Sequence, residues 1–186
     1  TGFVGSALVA KLMSLPRFHV LAWVRKTPVH PLRSVQYVQQ GDLSRDANWQ
    51  RGLVSVDVLV HAAARVHVMN DTLADPLTEF RRVNVQGMLN LARQAAAAGV
   101  RRFVFISSIK VNGEATPIGS SFTADDTPAP LDAYGISKME AEQGLREIAL
   151  QTGMEVVIVR PPLVYGPGAK ANFAAMMRWC QRGMPL

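Results

Sequence analysis

Short apolar runs alternate with helix-length segments from one end of this chain to the other, and few folds accommodate that order. Parallel strands need a long crossover between them, which a helix supplies, so the alternation predicts an α/β chain with a doubly wound parallel sheet. The strongest run, 56–61 (VDVLVH), reads as a strand buried on both faces. Further strands are expected over 19–24, 35–38, 102–107 and 155–159. Helices are expected over 3–15, 76–98, 133–151 and 172–181. Asp75 is a natural cap before Pro76, while Gly99 and Gly153 suit helix ends. The segment 112–130 is rich in Gly, Ser, Thr, Asp and Pro, and loops of that length are usually functional.

With 186 residues, one domain with a full core is expected. The net charge of +6 raises the question of nucleic acid. The basic residues are scattered as short pairs (Arg25-Lys26, Arg81-Arg82, Arg101-Arg102) with no interleaved aromatics, so a nucleic-acid partner is not expected. No apolar run approaches the ~20 residues of a bilayer span, so no membrane partner is expected. His19, His30, His61, His67 and the single Cys180 have no metal-site spacing, so no metal is expected. A lone cysteine suits a reducing cytoplasm, and Cys180 is read as a buried or half-buried small apolar residue.

The chain opens TGFVG and a helix follows at once. Gly2 and Gly5 fit the second half of a dinucleotide-binding turn, in which glycine lets the backbone approach a pyrophosphate and lets the helix pack on the sheet. The helix N-terminus adds free N–H groups and a partial positive charge. The first glycine and the strand before it are expected to precede Thr1. That strand is central in the doubly wound order, so the strands at 19–24 and 56–61 should each show an unpaired edge. Arg25 ends the second strand, where an acidic residue would bond a ribose hydroxyl. A cation there favours NADP over NAD; a surface arginine beside bound NAD is the alternative.

Tyr134 and Lys138 stand at i and i+4 of one helix, on one face. A free tyrosine, with its pKa near ~10, is a poor base at neutral pH. A neighbouring ammonium and an oxidised nicotinamide would favour the phenolate. Tyr134 could then take a proton from a substrate hydroxyl. A serine at the end of the strand, in Ser107-Ser108, could hold the same oxygen.

These segments, with GDL (41–43), HAAA (61–64), VNVQG (83–87), ISS (106–108), YGISKMEAE (134–142) and RPPLVYGPG (160–168), resemble the extended short-chain dehydrogenase/reductase superfamily and its NAD-dependent epimerase/dehydratase family. The resemblance implies a Rossmann fold. It implies Ser108 as the oxygen-positioning serine, Tyr134 as acid/base, and Lys138 as its partner and a ligand of the nicotinamide ribose. Phe3 and Val4 would lie on the pyrophosphate, Asp42 and Leu43 beside the adenine, and Ala62, Ala63 and Ala64 along the middle of the cofactor. Asn84 would brace the site. Asn172 and Phe173 resemble a pair that meets the substrate diphosphate and nucleobase.

Departures narrow the reading. Dehydratases of the family carry an acidic pair after the catalytic Ser/Thr, where this chain has Ile109 and Lys110, which argues against elimination. Lys110 either faces a substrate phosphate or points to solvent. UDP-galactose-type epimerases carry asparagine and tyrosine where this chain has Leu163 and Asn112. The expected activity is 4-epimerisation of a nucleoside-diphosphate sugar, a UDP-sugar, with NAD or NADP. A 4-keto-sugar reductase using NADPH shares every catalytic residue; a non-sugar alcohol dehydrogenase and a non-catalytic dinucleotide sensor are further alternatives. Residues 1–168 would form the cofactor domain and 169–186 the start of a substrate lobe, most of which lies beyond Leu186. A homodimer is expected through the helices at 76–98 and 133–151, with Leu89, Ala96, Met139 and Leu145 as apolar candidates.

Overall fold

The structure is a computed structural model that describes residues 2–28, 30–66, 75–168 and 171–183. In chain order the elements are α1 (Phe3–Met13), β1 (Val20–Val24), β2 (Val35–Gln39), α2 (Gln50–Leu53), β3 (Val58–His61) and α3 (Pro76–Phe80). A π-helical turn (Arg81–Gly87) then leads into α4 (Met88–Ala97) and β4 (Arg102–Ile106). A 3₁₀ turn (Ile109–Val111), α5 (Ala133–Thr152), β5 (Glu155–Val159) and α6 (Ala171–Gln181) complete the chain. The α/β order is the expected one, and every strand pair is parallel.

The strands divide into a pair, β1–β2, and a triplet, β3–β4–β5. Among the described residues β1 and β3 are not paired to each other, so each keeps the free edge that the sequence reading expected. Two expectations are corrected. The 56–61 strand starts at Val58, and only one of its faces is covered: Leu59 and His61 are buried while Val58 is exposed. The helix over 76–98 is not continuously α-helical, because a π turn interrupts it. Such turns insert an extra residue into the helical ladder and often mark functional sites.

The core lies between the triplet and the helices α4 and α5. Phe103, Phe105, Met88, Ala92, Ala141 and Leu145 are fully buried there. Burial of each large side chain contributes about 1.5–3 kcal/mol. α5 starts where Asp132 accepts from Gly135 N at 2.6 Å and ends at Gly153, whose φ of 74° is a left-handed conformation suited to glycine. Leu145, read as a possible dimer contact, is core, and Leu89 packs against that core and over Gly144, where a Cβ would meet its Cδ1 at 2.6 Å. Cys180 is exposed, contrary to the buried setting expected for it, because it lies on α6, whose described side chains are all exposed. No described helix is long and apolar enough to cross a membrane.

Candidate active site

The ends of β4 and α5 bring the expected catalytic residues together. Ser108 follows β4 and caps the 3₁₀ turn, accepting from Lys110 N at 3.3 Å. Tyr134 is the second residue of α5, and the Ser108 hydroxyl lies close enough to act on its phenol. Phe80 meets the Tyr134 ring edge-on at 6.0 Å, and the Arg65 guanidinium lies 5.7 Å from the Phe80 centroid.

Lys138 is buried one turn further along α5. Its Nζ donates to the Ile106 carbonyl at 2.7 Å and stands 4.1 Å over the Phe105 ring. His61 stacks against the same ring at 5.9 Å. Burial lowers Lys138 to about 7, with Glu142 opposing the shift. Burial, and secondarily the Lys138 charge, lowers His61 to about 3.

The phenol itself is pushed up, first by burial and then by the Asp132 carboxylate. The cation that pulls it down is Lys110, helped by the Ser108 hydroxyl. The sequence reading gave that part to Lys138, but the Lys138 ammonium is turned inward onto Ile106 and Phe105. Lys110 does not simply point to solvent: its Nζ bonds Asp132 at 2.6 Å and Glu114 at 2.8 Å.

The π turn organises the two ends of the expected cofactor track. Asn84, buried, accepts from Arg65 N at 2.8 Å and donates to Arg65 O and to Ser137 Oγ, both at 3.0 Å. It thus joins the segment after Ala62, Ala63 and Ala64 to α5. Ser137 Oγ in turn donates to the Tyr134 carbonyl at 2.7 Å. At the other end of the turn, a Cβ on Gly87 would stand 2.9 Å from the Leu43 carbonyl carbon. Glycine there lets the Asp42-Leu43 segment close onto the helix. Asp42 also pairs with Arg25 at 3.7 Å, both side chains exposed.

A dinucleotide fits the start of α1. Among the described residues no side chain caps that helix, leaving its first N–H groups for a phosphate, and a Cβ at Gly2 or Gly5 would meet no described atom within 4 Å. Gly5 therefore does not serve helix-on-sheet packing among the described residues. Phe3 lies near Gly166, whose would-be Cβ is 3.7 Å from the Phe3 ring, while Val4 is half-buried. Asn172 and Phe173 are in α6, but their side chains, like all of His67, lie outside the described residues. No described group of three or more His, Cys, Asp or Glu side chains is arranged for a metal.

The sequence reading missed a buried ionic cluster behind the site. Glu142 accepts from Ser107 Oγ at 2.5 Å and from Arg160 Nη2 at 2.6 Å. Arg160 Nη1 donates to Asn112, and Asn112 Nδ2 to the Thr123 carbonyl, which anchors the long loop to β5 and α5. The signal was present: Glu142 is the next i+4 position after Lys138 on the same face.

The model of the NAD dependent epimerase/dehydratase family matches residues 1–183. A curated protein described as UDP-glucose 4-epimerase, from Vibrio cholerae, is 48% identical over 186 residues, which is 100% of this chain and 56% of that protein. A 3 beta-hydroxysteroid dehydrogenase/Delta 5-->4-isomerase of Mycobacterium tuberculosis is 31% identical over 194 residues, covering 98% of this chain and 50% of its own. Among solved structures, MoeE5 in complex with UDP-glucuronic acid and NAD superposes with a TM-score of 0.78 and 30% identity, over 100% of this chain and 60% of that one. The chain thus spans about half the length of the curated relatives it matches.

Proposed function

The chain belongs to the NAD dependent epimerase/dehydratase family, and from that premise we propose that it is the cofactor half of a UDP-sugar 4-epimerase. The carrying observation is that the ends of β4 and α5 bring Ser108 beside Tyr134, with Lys138 one turn along the same helix. The UDP-glucose 4-epimerase of Vibrio cholerae and the NAD and UDP-glucuronic acid of the MoeE5 structure support the substrate and cofactor classes. In this reading residues 1–168 bind the cofactor and residues 169–186 open the substrate lobe, with Asn172 and Phe173 on the nucleotide. The protein works in the cytoplasm, as a homodimer whose contacts come from faces of α4 and α5 other than Leu89 and Leu145.

Gly2, Phe3, Val4 and Gly5 would hold the pyrophosphate, Arg25, Asp42 and Leu43 the adenosine, and Ala62, Ala63 and Ala64 the middle of the dinucleotide. Bound there, the nicotinamide would supply the acceptor and donor of hydride for the sugar C4. Ser108 Oγ orients the C4 oxygen. Tyr134 Oη takes the hydroxyl proton on oxidation and returns it on reduction. Lys138, whose pKa burial lowers to about 7, would be the residue that holds the nicotinamide ribose. A 4-keto-sugar reductase is the second reading, and Arg25 at the end of β1 favours it by suiting a 2′-phosphate.

One assay separates them. Full-length protein is incubated with UDP-glucose or UDP-galactose and NAD, and the sugar products are resolved. Epimerisation interconverts the sugars without net consumption of cofactor, whereas a reductase consumes NADPH in proportion to a keto substrate. Tyr134→Phe is expected to lower turnover about 10²–10⁴-fold with substrate binding little changed. Near-normal turnover in that variant would exclude the Ser-Tyr-Lys mechanism.

A further inference from the structure

Lys110 lies beside the reacting groups, yet the chemistry above does not use it. Its backbone N–H donates to Ser108 Oγ at 3.3 Å, and its ammonium donates to Asp132 Oδ2 at 2.6 Å. Asp132 Oδ1 accepts from Gly135 N at 2.6 Å, capping the turn that carries Tyr134. One residue therefore touches the serine with its backbone and the tyrosine's helix with its side chain. The fit between the two elements is close: a Cβ on Gly135 would stand 3.0 Å from the Lys110 carbonyl oxygen. We propose that Lys110 is a positioning residue for the acid/base tyrosine, its bridge to Asp132 locking Ser108 against Tyr134 and cancelling the carboxylate charge beside the phenol.

This rests on Tyr134 being the acid/base group. The charges around the phenol are Asp132, at the start of the same helix, and Lys110, from the 3₁₀ turn. Glu114 bonds Lys110, and Arg65 lies across the Phe80 ring. Further along α5, Lys138 and Glu142 are engaged with Ile106 and with Ser107 and Arg160. The Asp132 and Glu114 bonds hold Lys110 above the usual lysine range, so it stays cationic wherever the enzyme is assayed. Without it, the Asp132 carboxylate acts on the phenol unopposed. The bridge is partly solvated and contributes little to folding, so its effect belongs in the chemistry.

The test is the pH profile of kcat in full-length enzyme with UDP-glucose, for Lys110→Met, Lys110→Arg and Lys110→Met/Asp132→Asn. Lys110→Met is expected to move the limb governed by Tyr134 upward by about one pH unit, lowering kcat below the limb by about tenfold. Lys110→Arg restores the limb, and the double variant returns it toward wild type because both charges are gone while asparagine still caps α5. Ultraviolet phenolate absorbance, compared in pairs with and without Tyr134→Phe, should show the same shift without turnover. An unmoved limb in Lys110→Met, or a double variant shifted as far as the single, overturns the proposal. If Tyr134→Phe keeps its turnover, the active-site reading itself fails, a different outcome from a Lys110 variant that fails to move a profile which Tyr134 governs.

Discussion

The two sheets are made of similar strands but are held very differently. The β3–β4–β5 triplet supplies Leu59, Phe103 and Phe105 to the core, closed by Met88, Leu91, Ala141 and Leu145 from the helices. The β1–β2 pair buries Ala22, Val24 and Val35, and α1 beside it buries nothing. The pair reaches the core cluster through Trp23, whose ring meets Trp49 edge-on at 5.8 Å. The proposed roles divide the same way: Ser108, Tyr134 and Lys138 sit on the densely packed half, and Gly2, Gly5 and Arg25 on the lightly packed one. Reacting atoms need fixed distances, whereas a phosphate-binding helix start needs open N–H groups.

The largest test of that contrast is Phe105→Ala. The ring is fully buried and carries both the Lys138 ammonium and His61 on its faces. Its loss is expected to cost about 3–5 kcal/mol in denaturant unfolding of the full-length protein. Val24→Ala in β1 should cost less, about 1–2 kcal/mol. Equal costs would break the contrast.

A smaller effect comes from His61, buried against Phe105 in the dense half, while His19 and His30 are exposed in the other. Its folded pKa of about 3 lies below the ordinary 6.5, so the unfolded chain binds the proton more readily. Stability from this group is complete above the unfolded value and is lost as pH falls from about 6.5 toward 3. By pH ~5 the loss should reach about 2 kcal/mol. His61→Phe is expected to flatten that part of the stability profile. A profile unchanged in the variant would place the acid sensitivity elsewhere.

Much of this was legible in residue order. The strand–helix alternation carried the fold, and the i, i+4 spacing of Tyr134 and Lys138 put them on one face. The free edges of β1 and β3 among the described residues agree with what the half-motif TGFVG predicts. What escaped were features that exist only between distant segments. Gly87 reads as an ordinary helical residue until Leu43 is seen against it, and no pattern in VNVQG announces a π turn. The bond from Lys110 to Asp132 joins residues separated by a long loop, which residue order does not show. The strand at 56–61 looked doubly buried because its apolar residues are continuous, but helices cover only one of its faces.

The smallest expected effect tests the joint between the halves. Gly52 lies in α2, and a Cβ there would stand 2.4 Å from Trp23 Nε1 and 2.5 Å from Cζ2. Gly52→Ala must therefore displace the indole, the bridge by which β1 reaches the core. Overpacking of this kind costs about 1–3 kcal/mol, and the better helix propensity of alanine returns about 0.5–1 kcal/mol. Trp23 is only half-buried and can swing outward, so the net cost should be about 1 kcal/mol. It should fall on the pair alone. Hydrogen exchange of the full-length variant should quicken about fivefold at β1 and β2 amides and stay unchanged in β3, β4 and β5. Equal acceleration in all five strands would mean that the sheets open as one cooperative unit. Unchanged exchange in β1 and β2 would mean that Trp23 is not what holds the pair.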